Sequence, residues 1–116
     1  MMSRLPDHYQ WFLDRFPQVA AGYEALGTSV HQQSSLDAKT RALLKVAISG
    51  AARLEGGLHA HVRKALHAGA SADEIYEALL LLMPTVGFPA AMAALAWARD
   101  VLEKKNHAPP NRVAMP

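Results

Sequence analysis

The sequence contains no cysteine among its 116 residues. Disulfide and peroxide chemistry of the thiol type needs a thiolate as its nucleophile, and no other side chain forms a reversible disulfide. This chain by itself therefore cannot act as a thiol peroxidase or a disulfide reductase. A domain of this length buries enough surface to fold without disulfides or structural metals, so we expect neither a metal nor any other cofactor.

Blocks of like charge and long apolar runs are also missing. The chain has 12 Lys and Arg against 10 Asp and Glu, spread along its length, so we expect no nucleic-acid partner. Its longest apolar run, residues 90–98, is much shorter than the about 20 residues that span a bilayer. Arg4, Pro6 and Asp7 stand where a signal peptide has its apolar core. We therefore expect a cytoplasmic protein with no membrane partner.

Signatures of nucleotide-binding and hydrolytic enzymes are absent as well. The sequence has no Gly-rich phosphate loop, no G-x-S-x-G and no metalloprotease motif. It also has no alternating run of β-branched residues, whereas apolar residues recur at spacings of three and four. This periodicity predicts an all-α fold, a bundle of about five or six helices.

Proline, glycine and capping signals predict where the helices begin and end. Pro17 and Gly27 are expected to end the first two helices, with residues 28–35 as a loop. Asp37 is expected to cap a third helix that stops before the glycine pair at residues 56–57. The remaining helices are expected at residues 58–68, 71–83 and 90–105.

We expect one domain, in which N-terminal helices of residues 1–29 join a helical core of residues 30–105. Residues 106–116 contain three prolines and are expected to form a flexible tail. Residues 78–83 and 90–98 include long uncharged stretches, so at least one helix lacks a solvated face. Because a monomer would expose this apolar surface, we expect a closed homo-oligomer.

Polar residues concentrate at residues 56–71, which hold three histidines and two basic residues. His59 and His61 resemble a metal-binding pair, but residues two apart on a helix point about 200° away from each other. They cannot bind one ion together on a helix, and no third ligand is defined by the spacing. We therefore assign no metal site to this segment.

Four segments carry a likeness to a known family. They read L-D-A-K-T-R-A-L at residues 36–43, H-V-R-K-A-L-H-A-G-A-S at 61–71, D-E-I-Y-E at 73–77 and G-F-P-A-A at 87–91. In order and spacing they resemble the carboxymuconolactone decarboxylase and alkyl hydroperoxide reductase D-like family, over residues 30–103. The resemblance implies an orthogonal helical bundle that assembles as a trimer or a hexamer.

The sequence departs from this family at three positions. Members typically carry a C-x-x-C pair ahead of the histidine, and here those cysteines fall on Leu54 and Gly57. The family's glutamate falls on Ala42. In the peroxidase branch, the glutamate and the histidine relay protons to the cysteines, and of that set only His61 remains. The peroxiredoxin activity of the family is therefore excluded for this chain.

His61 is the first candidate for a catalytic residue, since the matching histidine of the resembled family faces the active pocket. Gly57 and Ala65 lie four residues to either side on the same helix face and leave room beside the ring. The functional interpretation is a general acid or base. The alternatives are a packed histidine bonded to a carbonyl, or the remnant of a lost site.

Two further candidates lie on another stripe of the same helix, where Glu55, His59 and Arg63 follow one another at intervals of four. For His59, we favour a solvated, salt-bridging face over a catalytic role. Arg63 is the H-x-R arginine of the family and could clamp a substrate carboxylate in a planar, bidentate manner. Its alternative is an ion pair with Glu77 or Asp73.

The sequence thus predicts a cofactor-free lyase that acts on a small carboxylated or lactone substrate, with His61 moving a proton and Arg63 holding the carboxylate. Because Ala42, Leu54 and Gly57 are chemically inert, the alternative is a non-catalytic oligomeric protein that binds a ligand or a partner. If a pocket adjoins His61, its walls are expected among large apolar residues that otherwise fill the core: Trp11, Met83, Phe88, Met92 and Trp97.

Overall fold

The computed structural model describes residues 7–103, and this part of the chain contains seven helices and no strand. The predicted all-α class is confirmed, whereas the predicted tail at residues 106–116 lies outside the described residues. In chain order the helices are α1 (Asp7–Arg15), α2 (Pro17–Gln33), α3 (Ala38–Ala51), α4 (Glu55–His67), α5 (Ala72–Leu80), α6 (Leu82–Val86) and α7 (Phe88–Leu102). They fall into two compact units, divided after Ser35.

The N-terminal unit consists of α1 and α2. Pro17 occupies the start of α2, where a missing backbone N–H costs nothing. The prediction of a loop at residues 28–35 is wrong, because α2 continues to Gln33. An interior glycine costs a helix only about 1 kcal/mol, so Gly27 does not end it. The apolar side chains recur on one stripe of α2 through this segment: Val19, Tyr23, Leu26 and Val30.

Helix α3 begins as predicted and ends in a different way. The Asp37 side chain accepts a 2.7 Å hydrogen bond from the Thr40 backbone N–H, and this bond holds the pKa of Asp37 below its ordinary value. At the other end Arg53 adopts the left-handed conformation at φ 59°, and the N–H of Leu54 reaches the carbonyl of Ser49. This closing motif satisfies the helix carbonyls. The glycine pair at 56–57 therefore lies in the first turn of α4 and not in the break.

Helix α4 closes on Gly69, whose φ of 98° suits only glycine, with the N–H of Ala70 bonded to the carbonyl of Ala65. The predicted capping box follows and is confirmed. Ser71 and Glu74 exchange hydrogen bonds of 2.9 and 3.0 Å at the start of α5. The second carboxylate oxygen of Glu74 accepts a 2.9 Å bond from Lys39, so one side chain joins the first turns of α3 and α5.

The single helix predicted at residues 71–83 is instead divided into α5 and α6. Pro84 lies in the first turn of α6, where its lack of an N–H is tolerated. Its ring would clash with the carbonyl of Leu80 in a continuous helix, and α5 ends at that residue. Gly87, at φ 115°, then turns the chain into α7.

The core of the second unit is built from five fully buried side chains of α3, α4 and α5: Val46, Leu58, Val62, Ile75 and Leu79. Helix α7 presents alanines to this core, and a β-carbon on Gly50 would lie 3.1 Å from that of Ala94. Small residues therefore let α3 and α7 approach closely. Within the described residues, no helix is both long enough and apolar enough to cross a membrane.

Candidate functional site

His61 lies in the middle of α4, on the helix that packs against both α3 and α7. The ring is half-buried, and its Nδ1 atom is fully buried with no hydrogen-bond partner in the described part of the chain. An unsatisfied buried polar atom costs a protein about 1–3 kcal/mol. The first of the two alternatives to a catalytic role, a packed histidine bonded to a carbonyl, is therefore not what the structure shows at Nδ1.

The electrostatic surroundings of His61 are positive. Burial lowers the pKa of the imidazole below its ordinary value, and the positive charges of Lys64 and Lys45 lower it further. Burial also lowers the pKa of Lys45, with smaller contributions from Lys64 and Arg41. Because charging the ring would place a second N–H at a nitrogen with no acceptor, geometry and charge both favour the neutral imidazole.

Two of these cations were not singled out from the sequence. Lys64 follows His61 by three residues and thus shares its helix face, a spacing that could have indicated it. Lys45 comes from α3, sixteen positions earlier, and no spacing rule connects it to His61. A half-buried neutral imidazole close to two lysines lies in a field that attracts small anions.

Arg63 occupies a different position from the one that a carboxylate clamp beside His61 requires. Because Arg63 follows His61 by two residues, the two side chains point about 200° apart around the helix. Its side chain is exposed, and the described residues offer it no hydrogen bond or ion pair, so neither Asp73 nor Glu77 is its partner. Its role as a substrate clamp stays a prediction.

His59 makes a contact across two helices. Its Nε2 lies 3.1 Å from the Oδ2 atom of Asp100 in α7, and both side chains are partly buried. Glu55, one turn earlier on α4, lies close to both of them. The stripe predicted from the spacing therefore contains Glu55 and His59 as expected, and α7 adds a carboxylate that the sequence did not indicate.

The expected wall residues are spread over several helices. Met83 and Trp97 are partly buried and pack against the core, while Phe88 and Met92 are exposed on α7. Trp11 belongs to the N-terminal unit, where its ring contacts His8 and Phe16. Their role as walls of a pocket beside His61 stays a prediction.

An open apolar groove runs between α3 and the α5–α6 segment. One part has a volume of about 450 Å³ and the adjoining part about 250 Å³, and the two share Ala47 and Leu81. His61 lines neither part. The groove is lined by apolar side chains except for a few polar residues: Thr40, Glu74, Glu77 and Thr85.

The helices of the described residues, with His61 on the fourth of them, form an all-α fold, as the sequence motifs indicated. The model of the carboxymuconolactone decarboxylase family matches residues 17–100, and the chain belongs to this family. It is a member without the cysteine pair, because the whole sequence contains no cysteine. A search of curated proteins finds no match for the chain.

Proposed function

We propose that this protein is a cofactor-free lyase that decarboxylates a small carboxylated lactone or a related acid, with His61 as the proton-transfer residue. The observation that carries the proposal is the buried, unpartnered Nδ1 of His61 in positive surroundings. Membership of the carboxymuconolactone decarboxylase family supports the substrate class.

The unpartnered Nδ1 supports one tautomer of the neutral imidazole. A lone pair at a buried Nδ1 is easier to leave unsatisfied than an N–H, so the neutral ring carries its proton on Nε2. That proton is then available to a substrate oxygen on which negative charge develops. A neutral imidazole N–H aimed at such an oxygen is an effective catalytic donor, since it needs no reorganisation as the charge forms.

Lys45 and Lys64 supply the anion-binding part of the site. Their charges act on His61 and, in the case of Lys64, on Lys45 as well. A substrate carboxylate relieves this repulsion between like charges and is attracted to the same place. We therefore assign the carboxylate to these two lysines before Arg63, which the sequence favoured.

The reaction balances without a cofactor. The bond between the substrate carbon and its carboxylate breaks, CO₂ leaves, and the electron pair moves into the conjugated carbonyl group. The Nε2–H of His61 stabilises the resulting enolate and delivers its proton to the product carbon in the place of CO₂. A water molecule then returns a proton to Nε2, and the hydroxide that this leaves combines with CO₂ to give bicarbonate. Proton transfer of this kind contributes about 10²- to 10⁴-fold to a rate, and substrate positioning contributes the rest.

The proposal is tested first by finding a substrate and then by removing the imidazole. Small lactone and aromatic acids are screened by thermal shift on the full chain, and binders are assayed for CO₂ release. We expect His61→Asn to lower turnover at least about 100-fold. The matched control is His67→Asn on the exposed last turn of the same helix, which should retain turnover. Equal turnover of the His61 variant and the wild type would contradict the assignment.

The lysines are separated from Arg63 in the same assay. Lys45→Met and Lys64→Met should raise KM for the carboxylated substrate, because each removes a charge that acts at His61. Arg63→Met should leave KM unchanged. The opposite pattern would return the carboxylate to Arg63.

The groove between α3 and the α5–α6 segment favours a second candidate function, that of a non-catalytic oligomeric protein that binds a ligand or a partner. Its larger part, about 450 Å³, is in the size range of small-molecule sites. In the thermal-shift assay, a hydrophobic acid that stabilises His61→Asn as much as the wild type, but stabilises Leu44→Glu and Leu81→Glu poorly, would favour this candidate. Loss of protection only in His61→Asn would favour the lyase.

A further inference from the structure

A second polar cluster lies on the side of α4 that faces away from His61. Glu55 and His59 share one stripe of this helix, and Asp100 comes from α7. One ligand atom from each of the three side chains lies within 4.8 Å of the other two. We propose that Glu55, His59 and Asp100 form a binding site for a divalent transition-metal ion.

The distance between the two inner ligands already fits an ion. The Nε2 atom of His59 and the Oδ2 atom of Asp100 are 3.1 Å apart. Zinc bonds to nitrogen and oxygen of about 2.0–2.2 Å place neighbouring ligand atoms about 3.0–3.5 Å apart. An ion can thus replace the proton that ring and carboxylate share, with little movement of either side chain.

Glu55 completes the set from the outside. Its side chain is exposed at the start of α4, while those of His59 and Asp100 are only 24% and 30% exposed. A flexible glutamate can close the remaining distance, and water can fill the open coordination positions. The site is therefore partly shielded yet accessible to an ion from solvent.

Charge supports the same occupant. Two carboxylates stand against one imidazole, so the three side chains together keep one or two negative charges whichever form the ring takes. A divalent cation bound by these side chains reduces the repulsion between the carboxylates of Glu55 and Asp100. An imidazole nitrogen favours zinc and similar transition metals over Mg²⁺ and Ca²⁺, which prefer oxygen ligands.

The sequence did not indicate this site for a specific reason. The H-x-H pair suggested His59 together with His61, which the helix turns apart. The true neighbour of His59 is Asp100, 41 residues further along the chain, and it is brought in by the packing of α4 against α7.

Calorimetric titration of the untagged full chain with ZnCl₂ tests the proposal. We expect one Zn²⁺ per chain and much weaker binding of MgCl₂. Glu55→Gln, His59→Gln and Asp100→Asn should each weaken Zn²⁺ binding at least about tenfold. His67→Gln, an exposed histidine of the same helix, is the matched control and should bind as the wild type does. Wild-type affinity in all three ligand variants, or no stoichiometric binding in the wild type, would overturn the site.

Thermal unfolding keeps the test independent of folding defects. Metal-free variants should unfold cooperatively, and Zn²⁺ should raise the Tm of the wild type and of His67→Gln but not of Asp100→Asn. A Zn²⁺-induced rise in Tm that persists in Asp100→Asn would place the ion elsewhere and overturn the proposal. Since no substrate takes part, either result leaves the lyase proposal to its own assay.

Discussion

A β-carbon on Gly57 would lie 3.4 Å from the Cβ of Leu54. The Cβ atoms of disulfide-bonded cysteines are about 3.5–4.5 Å apart. The two positions to which the family resemblance assigns cysteines are therefore within about 0.1 Å of disulfide spacing, although neither residue of this chain can form one. The lack of thiol chemistry is a matter of side chains and not of backbone geometry.

The double substitution Leu54→Cys and Gly57→Cys should therefore produce an intramolecular disulfide. Leu54 is exposed just before α4, and the atoms nearest to a β-carbon at position 57 belong to Leu54 and to the hydroxyl of Ser49, at ordinary contact distances. Mild oxidation should remove two hydrogens from the mass and protect both thiols from alkylation. The single variants are the controls, since neither can close this bond. Free thiols in the oxidised double variant would contradict the predicted spacing.

Hydroperoxide turnover should be absent from the wild type with any thiol reductant. Because the chain has no cysteine, we expect peroxide to oxidise its five methionines, and mass spectrometry should find only methionine sulfoxide. The double cysteine variant should regain little activity, because Ala42 is buried in the core and supplies no carboxylate for proton relay. Saturable peroxidase activity of the metal-free wild type would contradict this prediction.

Gly50 and Gly22 should respond to alanine in opposite directions. A β-carbon on Gly50 would lie 3.1–3.2 Å from side-chain atoms of Ala94, Leu82 and Leu79, so Gly50→Ala should destabilise the fold by about 1–3 kcal/mol through overpacking. On Gly22 it would meet nothing within 4 Å, and Gly22→Ala should stabilise α2 by up to about 1 kcal/mol. Urea unfolding monitored by circular dichroism measures both. A stabilising Gly50→Ala would show that α3 and α7 have room to separate.

Glu74 should make stability depend on pH in the acid range. Its pKa is lowered from the ordinary 4.5, first by the Ser71 backbone N–H and then by the hydrogen bond from Lys39. A carboxylate whose pKa is lower in the folded state stabilises the fold above the unfolded pKa, and this contribution disappears as pH falls through the folded value. Urea unfolding in buffers on either side of 4.5 should show the loss.

Glu74→Gln isolates this effect, because glutamine still closes a capping box but carries no charge. The variant should lose part of the acid dependence and retain the part due to Asp37, whose pKa is also lowered. Glu77→Gln is the matched control on the same helix, where the described residues give the carboxylate no hydrogen bond or ion pair. Identical pH profiles of the wild type and Glu74→Gln would refute the assignment.

The features that the sequence predicted well depend on hydrogen bonds between near neighbours. The cap at Asp37, the box of Ser71 and Glu74, and the turn at Gly69 each close within a few residues, so the residue types alone determine them. The extension of α2 past Gly27 was missed because a single interior glycine is only a weak helix breaker. The break after Leu80 was missed because Pro84 acts four residues upstream.

The candidate sites were predictable only in part, for a related reason. His61 and Arg63 were found from motif spacing along one helix. Lys45 and Asp100 come from α3 and α7, and only tertiary packing brings them to α4. Residues of a site that come from several helices have no fixed spacing in the sequence, so they are identified only once the fold is known.

The groove between α3 and the α5–α6 segment should be covered by another copy of the chain. Ile48 and Leu81 on its two sides are 63% and 67% exposed, and its smaller part is lined almost entirely by apolar side chains. Obligate interfaces of this apolar kind commonly bury more than about 2,000 Å² in total. We therefore expect a closed homo-oligomer, a trimer or a hexamer as the family resemblance implies, and no stable monomer.

Sedimentation velocity over a dilution series measures the size of the assembly. Ile48→Glu and Leu81→Glu should shift the equilibrium towards smaller species, because each would bury an unpaired charge in the interface. Leu66→Glu, at an exposed leucine of α4 that lines neither part of the groove, is the control and should assemble as the wild type does. A folded wild-type species of 12.6 kDa that persists at all concentrations would refute the interface.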